Sequence, residues 1–198
     1  MTLLLFLTVS TFPSLPPESA QVIASPETFS EWSSLNDTIM GGRSRAGCRP
    51  TGDGLVLEGE VVAEGGGFVS CRSPTFRPPL NLQAYQGLRL RVDGDGRTLK
   101  LAVACSDGVL GLTELIPGGL RWVAPIPTKA VGTTVVDVRF ADLQPVVRAS
   151  PVTLPVRFQA AAVTRVQLLH SRFAEGGGAQ PGFRPGSIRL LLRSVEAF

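Results

Sequence analysis

The chain has 198 residues, 43% of them hydrophobic and 18% charged, which suits one folded domain and excludes a mainly disordered or strongly polar polypeptide. Its net charge of +3 is carried almost wholly by arginine, because Lys100 and Lys129 are the only lysines; without a clustered basic stripe, so mild an excess excludes nucleic acid as the expected partner. Glycine (22) and proline (16) are plentiful and long helix-forming runs are absent, so the expected class is all-β, built from short strands joined by turns.

In chain order, Thr2 to Phe12 is an apolar run too short to span a bilayer, with no Lys or Arg before it and Pro13, Pro16 and Pro17 after it. Residues 1–24 are read as a poorly ordered leader, a loose membrane-surface contact or the product of a start assigned too far upstream; export through a weak signal is the alternative, with Val22-Ile23-Ala24 as a weak cleavage site. The domain is taken to run from 25 to 198, opening with Ser25 as a helix N-cap, Pro26 at the first helical position and one short helical turn. Strands are expected at Leu55 to Val62 and Gly67 to Cys71, and at Leu88, Leu90 and Val92, which alternate with Arg89 and Arg91 in the period of two of a half-buried sheet. Asp93-Gly94-Asp95-Gly96 then predicts a β-hairpin to a strand at Leu99 to Cys105. The neighbours of Trp122, then Thr133 to Phe140, Val163 to His170 and Ser187 to Phe198 bring the count to roughly eight strands, the signature of a two-sheet sandwich or jelly roll. Pro117-Gly118-Gly119 and Glu175 to Gly186 read as mobile loops. Cys48, Cys71 and Cys105, an odd count with no C-x-x-C spacing, read as reduced and mostly buried thiols.

The stretch Trp32-Ser33-Ser34-Leu35-Asn36-Asp37-Thr38-Ile39-Met40-Gly41-Gly42-Arg43-Ser44 resembles the hallmark of the complex I intermediate-associated protein 30 family, with its tryptophan, Asn-Asp pair and Met-Gly-Gly-x-Ser turn. Later features follow in the family's order: Gly59 to Val61, Gly66-Gly67-Phe68-Val69-Ser70 with Arg72, the Leu-Arg-Leu-Arg-Val strand, and Phe140, Leu143, Pro145 and Arg148, with Leu143 where a second phenylalanine is usual. The resemblance implies a jelly-roll β-sandwich of the galactose-binding-like type. It also implies a part in assembling a membrane-bound electron-transfer complex, NADH dehydrogenase-like or photosynthetic. The final strand departs from the family, carrying Arg189 and Arg193 where relatives tend to be acidic.

From the residues themselves, Asn36-Asp37 before Gly41-Gly42 reads as a polar loop whose side chains bond nearby amides and whose glycines take positive φ, either a purely structural loop or a contact surface. Asn36, Asp37, Met40, Gly41, Gly42, Arg43, Ser44, Arg72 and Arg148 are the candidate partner-binding residues. Gly65-Gly66-Gly67 lacks the helix and Gly-Lys-Ser/Thr of a phosphate loop and reads as a tight turn or bulge. Asp93 to Gly96 is a poor calcium loop, because Arg97 stands at the next ligand position. His170 is the only histidine, so two-histidine metal sites are excluded, and it is read as a residue at the edge of the core or a partner contact. Trp32 and Trp122 are read as core rather than sugar-stacking platforms. Arg89, Arg91, Arg165, Arg189 and Arg193 would form a basic outward face if their strands share a sheet, a solvated face or a docking surface for acidic protein or anionic lipid.

The expected function is therefore a non-enzymatic assembly factor that binds subunits or subcomplexes of a membrane-bound complex transiently. It needs no metal or organic cofactor, and it acts in the cytoplasm at the periphery of a bioenergetic membrane. A carbohydrate-binding or other ligand-binding module is the alternative.

Overall fold

The computed structural model describes residues 19–106 and 119–198. Among the described residues, thirteen strands form two antiparallel sheets. The first sheet has six strands: β3 (Arg45–Thr51), β4 (Gly54–Val61), β13 (Gly186–Ala197), β6 (Gly87–Asp93) and β9 (Thr134–Arg139) in that order, with β1 (Gln21–Ala24) beside β13. The second has seven, in the order β11 (Ser150–Pro151), β10 (Gln144–Val147), β8 (Arg121–Pro127), β7 (Thr98–Cys105), β12 (Val163–Ser171), β5 (Phe68–Arg72) and β2 (Ser33–Asn36). One apolar core lies between them, and the period-two pattern builds it: Leu88, Leu90 and Val92 from the first sheet and Leu99, Leu101 and Val103 from the second are all fully buried. Truncating one of these leucines removes buried methyl groups and leaves a cavity, at a cost of about 2–5 kcal/mol.

The expected strands from Leu55 onward are all present within a residue or two. The expected hairpin at Asp93 to Gly96 is not. β6 pairs with β9 and β13, whereas β7 pairs with β8 and β12, so the Asp-Gly-Asp-Gly segment is an arch that carries the chain from one sheet to the other. Both strands are apolar on one face, and facing each other across the core buries both faces at once. The arch is fixed by long-range bonds, Gly96 N to Lys129 O (2.8 Å) and an Arg184 guanidinium to Asp95 O (2.6 Å).

Five strands lie outside the expected set. β3 is a polar edge strand containing Gly47 and Pro50; its hairpin to β4 closes through Gly52-Asp53, a turn signal in the sequence that its composition obscured. β1 pairs with the C-terminal end of β13, so Gln21–Ala24 belong to the sheet and not to a leader ending at residue 24. Ser25 starts a turn, accepting a bond from Thr28 N, and the helical turn expected after it is a 3-10 turn at Phe29–Glu31 that Ser25 does not cap. The remaining leader and most of the loop at Pro117-Gly118 lie outside the described residues. The Glu175 to Gly186 loop is pinned by an ion pair from Glu175 to buried Lys100 (3.3 Å) and by buried Gln180.

The reading of three free thiols is corrected. Cys48 on β3 and Cys71 on β5 form a disulfide with Cα atoms 5.8 Å apart, joining the edge of one sheet to the other, while Cys105 is free and buried. Their separation of 23 residues hid the pair, because only the packing of two sheets brings them together. Closing a loop of that length stabilises the fold by about 3 kcal/mol on a chain-entropy account. The paired variant Cys48→Ser with Cys71→Ser is expected to unfold about 3 kcal/mol more easily in a denaturant titration. A reductant should then lower the stability of the unaltered chain and leave that of the variant unchanged.

Candidate functional site

The Asn36 to Ser44 segment leaves β2 at the edge of the seven-stranded sheet, makes a 3-10 turn at Asp37–Met40 and enters β3 of the other sheet. Asp37 turns inward and is fully buried. Its carboxylate accepts four bonds: from Ser44 N (2.9 Å), Ser44 Oγ (2.6 Å), Gly67 N (2.6 Å) and Phe68 N (3.3 Å). Desolvation, the largest single effect, pushes the carboxyl pKa up, but the Ser44 hydroxyl and the amides of Gly67, Ser44 and Phe68 together hold it below the ordinary value. Gly67, the last of the glycine triplet, thus presents its backbone amide to an anion, the protein's own Asp37.

The glycines serve two different ends. Gly41 takes φ +85° and terminates the turn, the conformation expected of it. Gly42 and Gly66 are there for close approach instead: a Cβ on either would fall 2.3 to 2.4 Å from the Asp37 carboxylate group. This clamp turns Ile39 and Met40 outward, 64% and 58% exposed. Arg43 pairs with Glu64 at the surface, and Asn36 donates to Ala46 O (2.9 Å). Asn36, Thr38, Ser44 to Gly47 and Glu58 line an open, mostly polar hollow of about 390 Å³.

Asp37 and Ser44 therefore cannot touch a partner directly, since both are fully buried; they shape the loop, and Thr38, Ile39, Met40, Gly41 and Arg43 are its exposed residues, Ile39 and Met40 the apolar ones. Ile39 lies outside the candidate residues of the sequence, where an apolar residue next to Met40 in a polar loop is the signal that marks it. Arg72 lies opposite Ser33, at the far end of β2 from Asn36 and roughly 10 Å along the strand. Arg148, at φ +49° in the β10–β11 turn, is on the opposite edge of that sheet, so the structure does not bring it to the loop.

The expected basic face is also redistributed. Arg89, Arg91, Arg189 and Arg193 do share the six-stranded sheet, but Arg89 grips Asp137 with two bonds (2.6 and 2.7 Å), Arg193 pairs with Asp93 (2.8 Å) and Arg189 with Glu58 (3.5 Å). That face is of mixed charge, and Arg165 is on the other sheet. The same ion pairs remove the Asp93 to Gly96 segment as a calcium loop, for Asp93 binds Arg193 and Asp95 binds Arg97 and Arg184. His170 is fully buried, stacked on Phe183, with its ring nitrogens facing Arg184 O (3.1 Å) and Thr98 O (3.4 Å); burial lowers its pKa. Trp32 and Trp122 are packed in the core, edge-on to Phe29 and Phe158. Among the described residues no group of three His, Cys, Asp or Glu could hold a metal ion, and no helix is long and apolar enough to cross a membrane.

Two packed antiparallel sheets in this arrangement define a galactose-binding-like jelly-roll sandwich. The family 11 carbohydrate-binding module of the cellulosomal cellulase Lic26A-Cel5E of Clostridium thermocellum is similar to the chain at a TM-score of 0.65 and 10% identity, over 91% of this chain and 94% of that one. The Clostridium thermocellum family 11 module in complex with a β-1,3-1,4-mixed-linked tetrasaccharide is similar at 0.64 and 10% identity, over 90% and 95%. The agarase AgWH50C is similar at 0.52 and 8%, over 90% of this chain and 24% of that one. At such identities the likeness is one of fold. No curated protein matches the chain in sequence. The family profile of Complex I intermediate-associated protein 30 matches residues 22–192, and the chain belongs to that family.

Replacing Asp37 by Asn puts an N–H donor among four donors, and we expect it to cost about 3 kcal/mol at neutral pH. Because the folded carboxyl titrates below the unfolded value of about 4, its contribution is present above that value and is lost as pH falls from there through the folded pKa. Urea titrations across pH should find part of the acid destabilisation missing in the Asn variant.

Proposed function

We propose that the chain is an assembly factor for a membrane-bound electron-transfer complex, NADH dehydrogenase-like or photosynthetic, acting by transient protein binding and making or breaking no bond. Family membership supports the class of client. The mode of action rests on one observation: the adjacent exposure of Ile39 and Met40 on a turn clamped from beneath by buried Asp37. Apolar side chains on a pre-ordered turn lose little further entropy on docking, so a small contact can bind without binding permanently. Methionine adapts to irregular surfaces, and the exposed Arg43–Glu64 pair supplies a polar rim. A chaperone-like factor that must later yield its place to a subunit needs that combination of specificity and release.

The carbohydrate-binding alternative draws on fold likeness alone. Both tryptophans are core residues, at 7% and 5% exposure, and offer no open ring face to a sugar. The Cys48–Cys71 bond supports the exported alternative over the cytoplasm, because cytosolic thiol buffers keep such pairs reduced; finding both thiols reduced in protein trapped from cells would restore the cytoplasmic reading.

Affinity capture from detergent-solubilised membranes, read by mass spectrometry, is expected to recover unassembled subunits of one complex. The variant Ile39→Ser with Met40→Glu should melt as the unaltered protein does and recover about tenfold less client. Undiminished capture by that variant, or a clean capture beside a positive glycan array, would overturn the proposal.

A further inference from the structure

The seven-stranded sheet differs from its partner in one respect visible strand by strand: β2, β5, β7, β8, β10, β11 and β12 contain no Asp or Glu at all. They nevertheless carry Arg72, Lys100, Arg121 and Arg165. Lys100 is met by Glu175 from a loop. Arg72 and Arg165 sit together on the outward face. Val69 and Cys71 of β5 and Val166 and Leu168 of β12 point into the core, which turns Arg72, Arg165 and Gln167 the other way. Gln167 is directly opposite Arg72, so Arg165 is its diagonal neighbour at about 7–8 Å between backbones, close enough for both guanidiniums to reach one small anion.

The contacts of this pair are neutral. Arg165 donates to Thr75 Oγ1, and the Arg72 Nε–H is buried with no hydrogen-bond partner in the structure. Desolvation, and then the charge of Arg72, lower the Arg165 pKa, and among the described residues no carboxylate acts against them. On the other sheet Arg89, Arg189 and Arg193 each meet a carboxylate, so the pair on this sheet stands out as two like charges held side by side. Across β7 the neighbouring side chains are small and buried: Ala104 is in register with Arg165 and Ala102 with Gln167, and Val123 follows on β8. These residues are 4–8% exposed.

We propose that this face binds an acidic segment of a partner protein, with Arg72 and Arg165 gripping one of its carboxylates. The inference rests on the protein-binding reading above but uses a different surface from Ile39 and Met40. Two planar guanidinium forks suit a carboxylate, and a charge-assisted bond satisfies the stranded Nε–H. β5 and β12 are interior strands and the Nε–H is buried, so the acidic group must descend to them; a side chain on a flexible segment does so, whereas a bilayer surface does not. Outward positions on β7, β8 and β12 hold no aromatic ring on which an acidic sugar could stack.

The test is a calorimetric titration of the full chain with a short blocked peptide of alternating Glu and Leu, beside its Gln-for-Glu counterpart, inorganic phosphate, phosphatidylglycerol vesicles and an oligouronate. The Glu peptide is expected to bind, to weaken with added salt and to outbind its Gln counterpart by about tenfold or more. Arg72→Ala with Arg165→Ala should abolish the difference, Arg165→Lys should retain part of it, and Arg89→Ala on the other sheet should leave it intact. Equal binding of the two peptides, no binding of either, indifference to the Arg72 and Arg165 changes in a variant of unchanged melting temperature, or preference for vesicles, phosphate or oligouronate would each overturn the proposal. If the peptide fails while client capture still depends on Ile39 and Met40, only this inference falls; the converse result removes the earlier one.

Discussion

Two loops and two sheets meet at one carboxylate. Asp37 leaves the edge of the seven-stranded sheet, yet its bonds run to Ser44, where the chain enters the other sheet, and to the amides of Gly67 and Phe68, where it returns. A buried charge of this kind is tolerated only when nearly all its acceptor capacity is used, and here four donors use it. The demands of that geometry pass outward to the neighbours. Gly42 and Gly66 must lack a Cβ because the carboxylate occupies the space, and Gly41 must bend to positive φ to end the turn. The family-like motif is in this sense a list of what one buried carboxylate requires, with Ile39 and Met40 the residues left over for the outside.

The same junction is closed covalently. Cys48 and Cys71 join the strands that follow the two clamped loops, β3 after Ser44 and β5 after Gly67. A polar clamp and a covalent one thus fasten the same pair of strands, one formed by hydrogen bonds to a charge and the other by restricting the unfolded chain. A surface kept rigid in this way can bind weakly and still select its partner, because little of the binding free energy goes into ordering it.

Charge divides the two sheets more sharply than composition does. On the six-stranded sheet, arginines on β6 and β13 find Asp137, Asp93 and Glu58 across the strands, giving a solvated face that is close to neutral locally. Exposed pairs of that sort contribute little stability, and they leave little field for a partner to sense. The seven-stranded sheet has no acidic residue on any strand, and Arg72 and Arg165 lie side by side on it with no carboxylate between them. The chain's modest net charge of +3 conceals this asymmetry.

What the sequence by itself determined is local in origin. Leu88, Leu90 and Val92 declare a half-buried strand because side chains alternate along any strand, and the Trp32 to Ser44 stretch declares its family because the residues that shape that loop are contiguous. Glycine and proline punctuation marked most strands for the same reason; β3 escaped because an edge strand interrupted by Gly47 and Pro50 turns only the small Ala46 and Cys48 toward the core. Tertiary structure alone decided the rest. Whether Asp93 to Gly96 is a hairpin or an arch depends on which strands β6 and β7 pair with, and those partners lie far along the chain. Whether Asp37 faces a partner or the interior, whether Cys48 meets Cys71, and whether an arginine finds a carboxylate or a second arginine are likewise settled by register and by the packing of one sheet on the other, and no local pattern encodes a contact between residues that meet only once both sheets have formed.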